Sequence, residues 1–398
     1  MQTSWRIGSL FGIPLFLDPL WFVILGLATL NFGVAYQELG SVNAWGAGVV
    51  MALLLFASVL LHELGHSLAA KSQGIKVSSI TLFLFGGVAS IEEESKTPGK
   101  AFQVAIAGPL VSIFLFLLLR LGANVLADTS IYYAMVTDLA RVNLILALFN
   151  LIPGLPLDGG QVLKAALWKV TGNRFQAVRG AAKAGQILGW CAIGLSFVVD
   201  YYTHELITGL WILLLGWFGI RNATSYERVT RLQETLLETC AGSVMTRDFR
   251  IVDANQSISS FANLYVLEGV ASQIYFAESD GRYRGMVSIN ALRSCERSQW
   301  ETKTVMSIVQ PLTEIPYVEE STILAEVINK LEKENLNRVT VLSPAGAVAG
   351  LIDRGDILRG VASKLGLGIS EAEIKRVKEE NIFPSGLQLG VIAKSAMG

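Results

Sequence analysis

Residues 44–61 and 101–119 contain no Asp, Glu, Lys or Arg. A helix needs roughly 20 apolar residues to cross a bilayer, so both stretches have the length and composition of membrane spans. The shortage of charge reaches well beyond them. Of the 65 charged side chains (32 Lys+Arg, 33 Asp+Glu), residues 1–221 hold 24 and residues 222–398 hold 41. A single soluble core is therefore excluded, and the chain reads as a membrane part followed by a soluble part. Disorder is excluded by a hydrophobic content of 52%. Three scattered cysteines cannot build a disulfide scaffold. A net charge of −1 offers nothing to nucleic acid.

Six spans are expected, over residues 19–36, 44–61, 101–119, 132–152, 184–203 and 206–220. The first reads as a permanent span, because no small-residue cleavage site stands clearly after it. Lys71, Lys76, Lys96 and Lys100 fall in one loop, and Lys164, Lys169, Arg174, Arg179 and Lys183 in another. The intervening loops carry only Arg120. The positive-inside rule then puts the basic loops, the N-terminus and the soluble half in the cytoplasm, which requires an even number of spans. Asp138 and Arg141, three apart in the fourth span, read as a mutually neutralising pair.

The second span ends in Leu61-His62-Glu63-Leu64-Gly65-His66. Ionisable groups at membrane depth are costly and point to function. His62 and His66 share a helix face and can grip one ion, with Glu63 beside them to take a proton from a water on the metal. This is the His-Glu-x-x-His pattern of zinc hydrolases. A catalytic zinc needs a third protein ligand. His204 falls in a loop on the far side. Asp158, in Asn150-Leu-Ile-Pro-Gly-Leu-Pro-Leu-Asp-Gly-Gly160, follows the cytoplasmic end of the fourth span and is the better candidate. Its prolines and glycines stop a helix, and such backbone is tolerated at membrane depth only where protein buries it or water reaches it.

These residues resemble the site-2 protease family of intramembrane zinc metalloproteases, in its subgroup with a C-terminal pair of CBS domains. The resemblance rests on His62 to His66, on Ala107-Gly108-Pro109, and on Phe149-Asn150-Leu-Ile-Pro153 running into Leu157-Asp158-Gly159-Gly160. It implies one Zn2+ per chain on His62, His66 and Asp158, Glu63 as general base, and cleavage in or near a transmembrane segment of a membrane-protein substrate. Asn150 is a candidate donor to the substrate backbone or oxyanion.

Residues 77–91 are too β-branched, and too interrupted at Gly86 and Gly87, for a good span. They read as a hairpin or extended loop beside the metal, able to pair with an unwound substrate by strand addition, with residues 6–18 adding strands.

In the soluble half, residues 222–243 read as a linker helix. Two units then repeat at a spacing of about 60 residues, 244–300 and 301–363. They open at Val244-Met245-Thr246 and Val305-Met306-Ser307, and resemble a CBS pair, which implies a possible adenine-nucleotide site. The ribose-binding pattern is incomplete in both. Ser288 is followed by Ala291 where Asp belongs, and Asp356 is preceded by Asp353 where a hydroxyl belongs. A structural or dimerising role is the plainer expectation, and homo-oligomers through this pair are allowed. Residues 364–398 read as an interaction tail or an unstructured end.

The expected fold is thus a polytopic α-helical membrane domain over residues 1–221, with a small membrane-associated β region, joined to cytoplasmic α/β tandem CBS domains. The expected function is intramembrane zinc endopeptidase. The competing reading is a metal-ion transporter or channel under a regulatory CBS pair, which leaves Glu63 without a purpose.

Overall fold

The N-terminal residues are spent on strands before any helix begins. In the computed structural model of the protein, which describes residues 4–37, 40–83, 86–127, 130–204, 206–266, 274–384 and 386–397, Trp5–Leu10 (β1) and Ile13–Leu17 (β2) pair antiparallel. Their turn holds Phe11 at φ 50° and Gly12 at φ 78°, the left-handed region in which only glycine is unstrained. Helices Trp21–Ala35 (α1) and Ser41–Ser72 (α2) follow, then the hairpin Val77–Phe83 (β3) and Gly86–Ile91 (β4). The sheet order is β1-β2-β3-β4, with β2 parallel to β3 and β4 at an edge. Ile13, Leu15 and Ile80 of this sheet bury against Leu64 of α2.

The remaining helices of the first unit are Pro98–Ala123 (α3), Ile131–Asn150 (α4), Asp158–Thr171 (α5), Arg174–Thr203 (α6) and Leu206–Glu238 (α7). Their starts obey local chemistry. Thr97 accepts the Lys100 N–H and Pro98 opens α3, while Ser130 and Asn173 accept the N–H groups of Tyr133 and Gln176.

Among the described residues, five helices are long and apolar enough to cross a membrane: Val42–Ser72, α3, α4, α6 and α7. The first expected span, α1, is the shortest of the six. α1 has 15 residues, or about 22 Å at 1.5 Å per residue, against a hydrocarbon core of about 30 Å. The sheet shortens it. Asp18 donates its N–H to the Leu82 carbonyl and accepts the Leu20 N–H on its carboxylate. Residues 222–238 of the expected linker helix are helical and continue α7, which runs unbroken to Glu238. Residues 220–238 contain no Gly or Pro to stop it. Asp138 does pair with Arg141, at 3.2 Å, and also accepts the Tyr36 hydroxyl at 2.9 Å.

The chain divides into two compact units, Met1–Thr230 and Arg231–Gly398. The second contains Phe249–Asp253 (β5), Ile258–Phe261 (α8), Ile274–Ser279 (β6), Arg282–Val287 (β7), Ile289–Ser294 (α9) and Val309–Pro311 (β8), then Tyr317–Glu319 (β9), Leu324–Lys333 (α10), Arg338–Leu342 (β10), Val348–Asp353 (β11) and Arg354–Leu365 (α11). Two sheets result, β5-β6-β7-β8 and β11-β10-β9. Each has a parallel pair joined to an antiparallel hairpin, as a tandem repeat requires. Leu324, Val327, Ile328 and Leu331 of α10 are fully buried, one helix face at spacings of three and four. The C-terminal residues are folded. Glu371–Glu380 (α12) and Leu389–Met397 (α13) bury Ile374, Val377, Leu389, Ile392 and Ala393 in the same core as α10. The unstructured-end expectation is thereby corrected.

Candidate metal centre

His62 and His66 lie about one turn apart on α2, so their imidazoles leave one face. Their Nε2 atoms are 3.3 Å apart. Asp158, the first residue of α5, places Oδ2 2.9 Å from His62 Nε2 and 3.2 Å from His66 Nε2. The His62 and His66 side chains are 3% and 10% exposed, so little water competes for these atoms.

α3 aims the two rings. His66 donates Nδ1–H to the Val104 carbonyl at 2.7 Å, which leaves a lone pair on Nε2. His62 Nδ1 lies 2.9 Å from the hydroxyl of Ser112, which is itself buried. Gly108 sits midway between these partners, four residues from each. A Cβ there would run into Nε2 of both His66 and His62. Gly108 is therefore a packing requirement of the centre.

Three donor atoms, two nitrogens and one carboxylate oxygen, lie within 4.8 Å of one another. Two imidazole lone pairs facing at this distance repel unless a proton or a cation lies between them. Two His with one carboxylate is a donor set that suits catalytic zinc. The residues present fit the ion.

Glycines also deliver Asp158. A Cβ on Gly159 would overlap the Leu151 and Ile152 carbonyls, and one on Gly160 the backbone at Gly154 and Leu155. Gly185 of α6 meets the Leu155 carbonyl in the same way. The broken segment after α4 can fold back tightly only because these positions lack side chains. The carboxylate then starts α5, where the helix dipole favours a negative charge.

Glu63 is adjacent to the ligands and outside the three-atom group. It packs on β4: a Cβ on Gly87 would lie 2.5 Å from Glu63 Cγ, and the Glu63 carboxylate lies near the Ala89 backbone. Backbone groups alternate sides along a strand. Gly87, Ala89 and Ile91 therefore present theirs at the open edge, while the Glu92 N–H turns back to the Lys76 carbonyl. A cavity of about 380 Å³ lies along this edge, lined by Glu63, His66, Gly87, Asp158, Lys164 and Tyr226 among others.

The other predicted site residues fall elsewhere. Gly86 opens β4 at φ 127°. Asn150 is half-buried at the end of α4 and does not line the cavity. His204 closes α6, exposed at φ 53°, and is not in the metal-ligating group. Sequence reasoning missed Ser112 and Lys164. The Gly108-x-x-x-Ser112 spacing inside a charge-free span was the available signal for the first.

In the second unit, Ser288 accepts the Ala291 N–H and caps α9. Asp353 and Asp356 form a capping box at the start of α11. Asp356 is buried, and Lys378 of α12 donates to it at 2.7 Å and lies 3.2 Å from Asp353. The chain's own ammonium occupies the carboxylate pair.

The family model "Peptidase family M50" matches residues 50–128 and 124–191, and the "CBS domain" model matches residues 305–363. Over 363 residues the chain is 40% identical to sll0528 of Synechocystis sp., provisionally named a zinc metalloprotease, covering 90% of this chain and 96% of that one. It is 30% identical over 372 residues to the zinc metalloprotease MJ0392 of Methanocaldococcus jannaschii, covering 91% and 97%. The solved site-2 protease from Methanocaldococcus jannaschii aligns at 30% identity and a TM-score of 0.42, over 56% of this chain and 95% of that one. With two histidines and an aspartate converging as a candidate metal centre, and relatives matched along nearly its whole length, the chain belongs to peptidase family M50, the site-2 protease family of membrane zinc metalloproteases, in a form with a C-terminal CBS domain.

Proposed function

We propose that the protein is an intramembrane endopeptidase that cuts a peptide bond in or near the transmembrane segment of another membrane protein. The observation that carries this reading is the position of Glu63, between the convergent His62, His66 and Asp158 on one side and the open edge of β4 on the other. A metal-ion transporter would need the ligands and leave Glu63 without work.

A helical substrate hides its carbonyls in its own hydrogen bonds, so it must unwind before it is cut. The edge of β4 offers the unwound segment replacement partners at Gly87 and Ile91, the strand addition that peptide-binding sheets use. One zinc ion held by His62, His66 and Asp158 would supply the Lewis acid that polarises a carbonyl and acidifies water. Glu63 takes the proton of the attacking water and returns it to the departing amine nitrogen. The wall at Gly87 holds its side chain in place for both transfers. In this reading the basic loops, the N-terminus and the CBS pair are cytoplasmic.

The test is cleavage of a purified single-span substrate in detergent. Wild type with zinc is expected to cut it, and chelation to stop the cut until zinc is returned. Ile91→Pro removes an open-edge N–H and leaves the β3 pairing alone. It is expected to lower kcat/KM by about tenfold, the scale of one or two backbone hydrogen bonds. Unchanged kcat/KM in that variant would count against strand addition.

For the CBS pair we propose a structural or dimerising role. Lys378 already engages Asp356 and Asp353. AMP or ATP is expected to leave the Tm of the purified protein unchanged, whereas a ligand at 100 times its Kd would stabilise the fold by about 2.7 kcal/mol. A clear upward shift in thermal melting would reject this assignment.

A further inference from the structure

Two walls of the catalytic cavity are tied together by a charge cluster that the hydrolytic scheme does not use. One wall is β4, continued by the residues after it to Glu94. The other is α5, on which Asp158, Gln161 and Lys164 stand three residues apart and all line the cavity. Lys164 is only 8% exposed, and its Nζ lies 3.4 Å from Glu94 Oε2. The first residue of α6, Arg174, brings Nε to 3.2 Å from the same oxygen. Two cations thus share one carboxylate, three residues past the open-edge strand.

We infer that Glu94, Lys164 and Arg174 act as a positioning clamp, setting the width of the substrate cleft by tying the end of β4 to the helix that presents Asp158. The inference rests on the reading of β4 as the strand that receives substrate. A lysine this buried is costly without a partner, so Lys164 is held to Glu94 and not to bulk water. The anchor points matter more than the attraction. Glu94 follows Ile91 by three residues, and Lys164 follows Asp158 by six on one rigid helix. A shift at the cluster is passed to the strand edge, while Asp158 stays fixed by its own contacts with His62 and His66. Burial alone would raise the Glu94 carboxyl, but the Lys164 and Arg174 cations hold it below the usual range, so it stays charged. None of the three side chains touches His62, His66 or Asp158 among the contacts of the described residues. Their loss is therefore expected to act on substrate fit, not on the metal.

Lys164→Met keeps the length of the stem and removes the charge, leaving Glu94 to Arg174 and solvent. With the single-span substrate in detergent, KM is expected to rise about tenfold, the scale of one charge-assisted hydrogen bond. The kcat is expected to stay within about twofold and zinc content to be unchanged, the signature of lost binding without lost chemistry. Lys164→Arg, which can still reach Glu94, is expected to restore KM. Glu94→Gln provides a second route at a half-exposed side chain, should Lys164→Met fold poorly. The clamp is overturned if Lys164→Met and Glu94→Gln leave KM unchanged, or if kcat or zinc falls in place of the KM rise. Ile91→Pro separates this from the reading beneath it. If Ile91→Pro raises KM and the clamp variants do not, only the clamp fails. If Ile91→Pro leaves KM unchanged, the role of β4 fails, and the clamp with it.

Discussion

Glu63→Gln is expected to abolish cleavage and to leave the metal in place. Gln matches Glu in shape, so it keeps its packing against Gly87. The three candidate ligand atoms belong to His62, His66 and Asp158, and none is altered. Only the ability to take a proton is lost. General-base contributions of about 10²- to 10⁴-fold set the expected fall in kcat. Elemental analysis of the purified variant should still find about one zinc per chain, the stoichiometry of a single site with three protein ligands. Loss of zinc together with activity would make Glu63 a structural or ligating residue and would remove the base from the scheme. Full activity would remove it as well.

Gly108→Ala should disarm the centre from a neighbouring helix. In a helix interior, Ala is favoured over Gly by about 1 kcal/mol, so α3 itself should gain. The added methyl group, however, would overlap Nε2 of both histidines. Either the rings turn away from Asp158 or α3 moves off α2 and breaks the contacts at Val104 and Ser112. Zinc affinity is expected to drop by at least about 100-fold, beyond the usual cost of altering a residue that supports a metal ligand. Gly122→Ala is the control, for a Cβ there has no neighbour within 4 Å on the same helix. It should keep both zinc and cleavage. Equal zinc content in Gly108→Ala and wild type would show that the histidines do not bind metal in the arrangement described.

Much of this was legible in residue order. Charge-free runs mark membrane helices because a bilayer offers no other place for a segment such as residues 101–119. His62 and His66 share a face by helical period alone. The hairpin at residues 77–91 follows from β-branched residues interrupted by glycines, which make a poor helix. Less legible were the ends of elements. α1 falls short because Asp18 is recruited by β3, a partner more than sixty residues away. α12 reads as a charged, solvated helix, and its burial of Ile374 and Val377 depends on a core supplied by α10.

By itself the sequence determined the division into an apolar and a charged half, and it singled out His62, His66 and Asp158 as candidate ligands with Glu63 beside them. These depend on composition and on spacing within single elements. Tertiary structure alone decided that α3 aims the imidazoles across Gly108 and Ser112, that the open edge of β4 meets Glu63, and that Lys164 reaches Glu94. Each of those joins residues far apart in the chain, from 24 positions for Glu63 and Gly87 to 70 for Glu94 and Lys164. Such contacts are set by how closely backbones approach and where unpaired strand edges end, and no local periodicity carries that information.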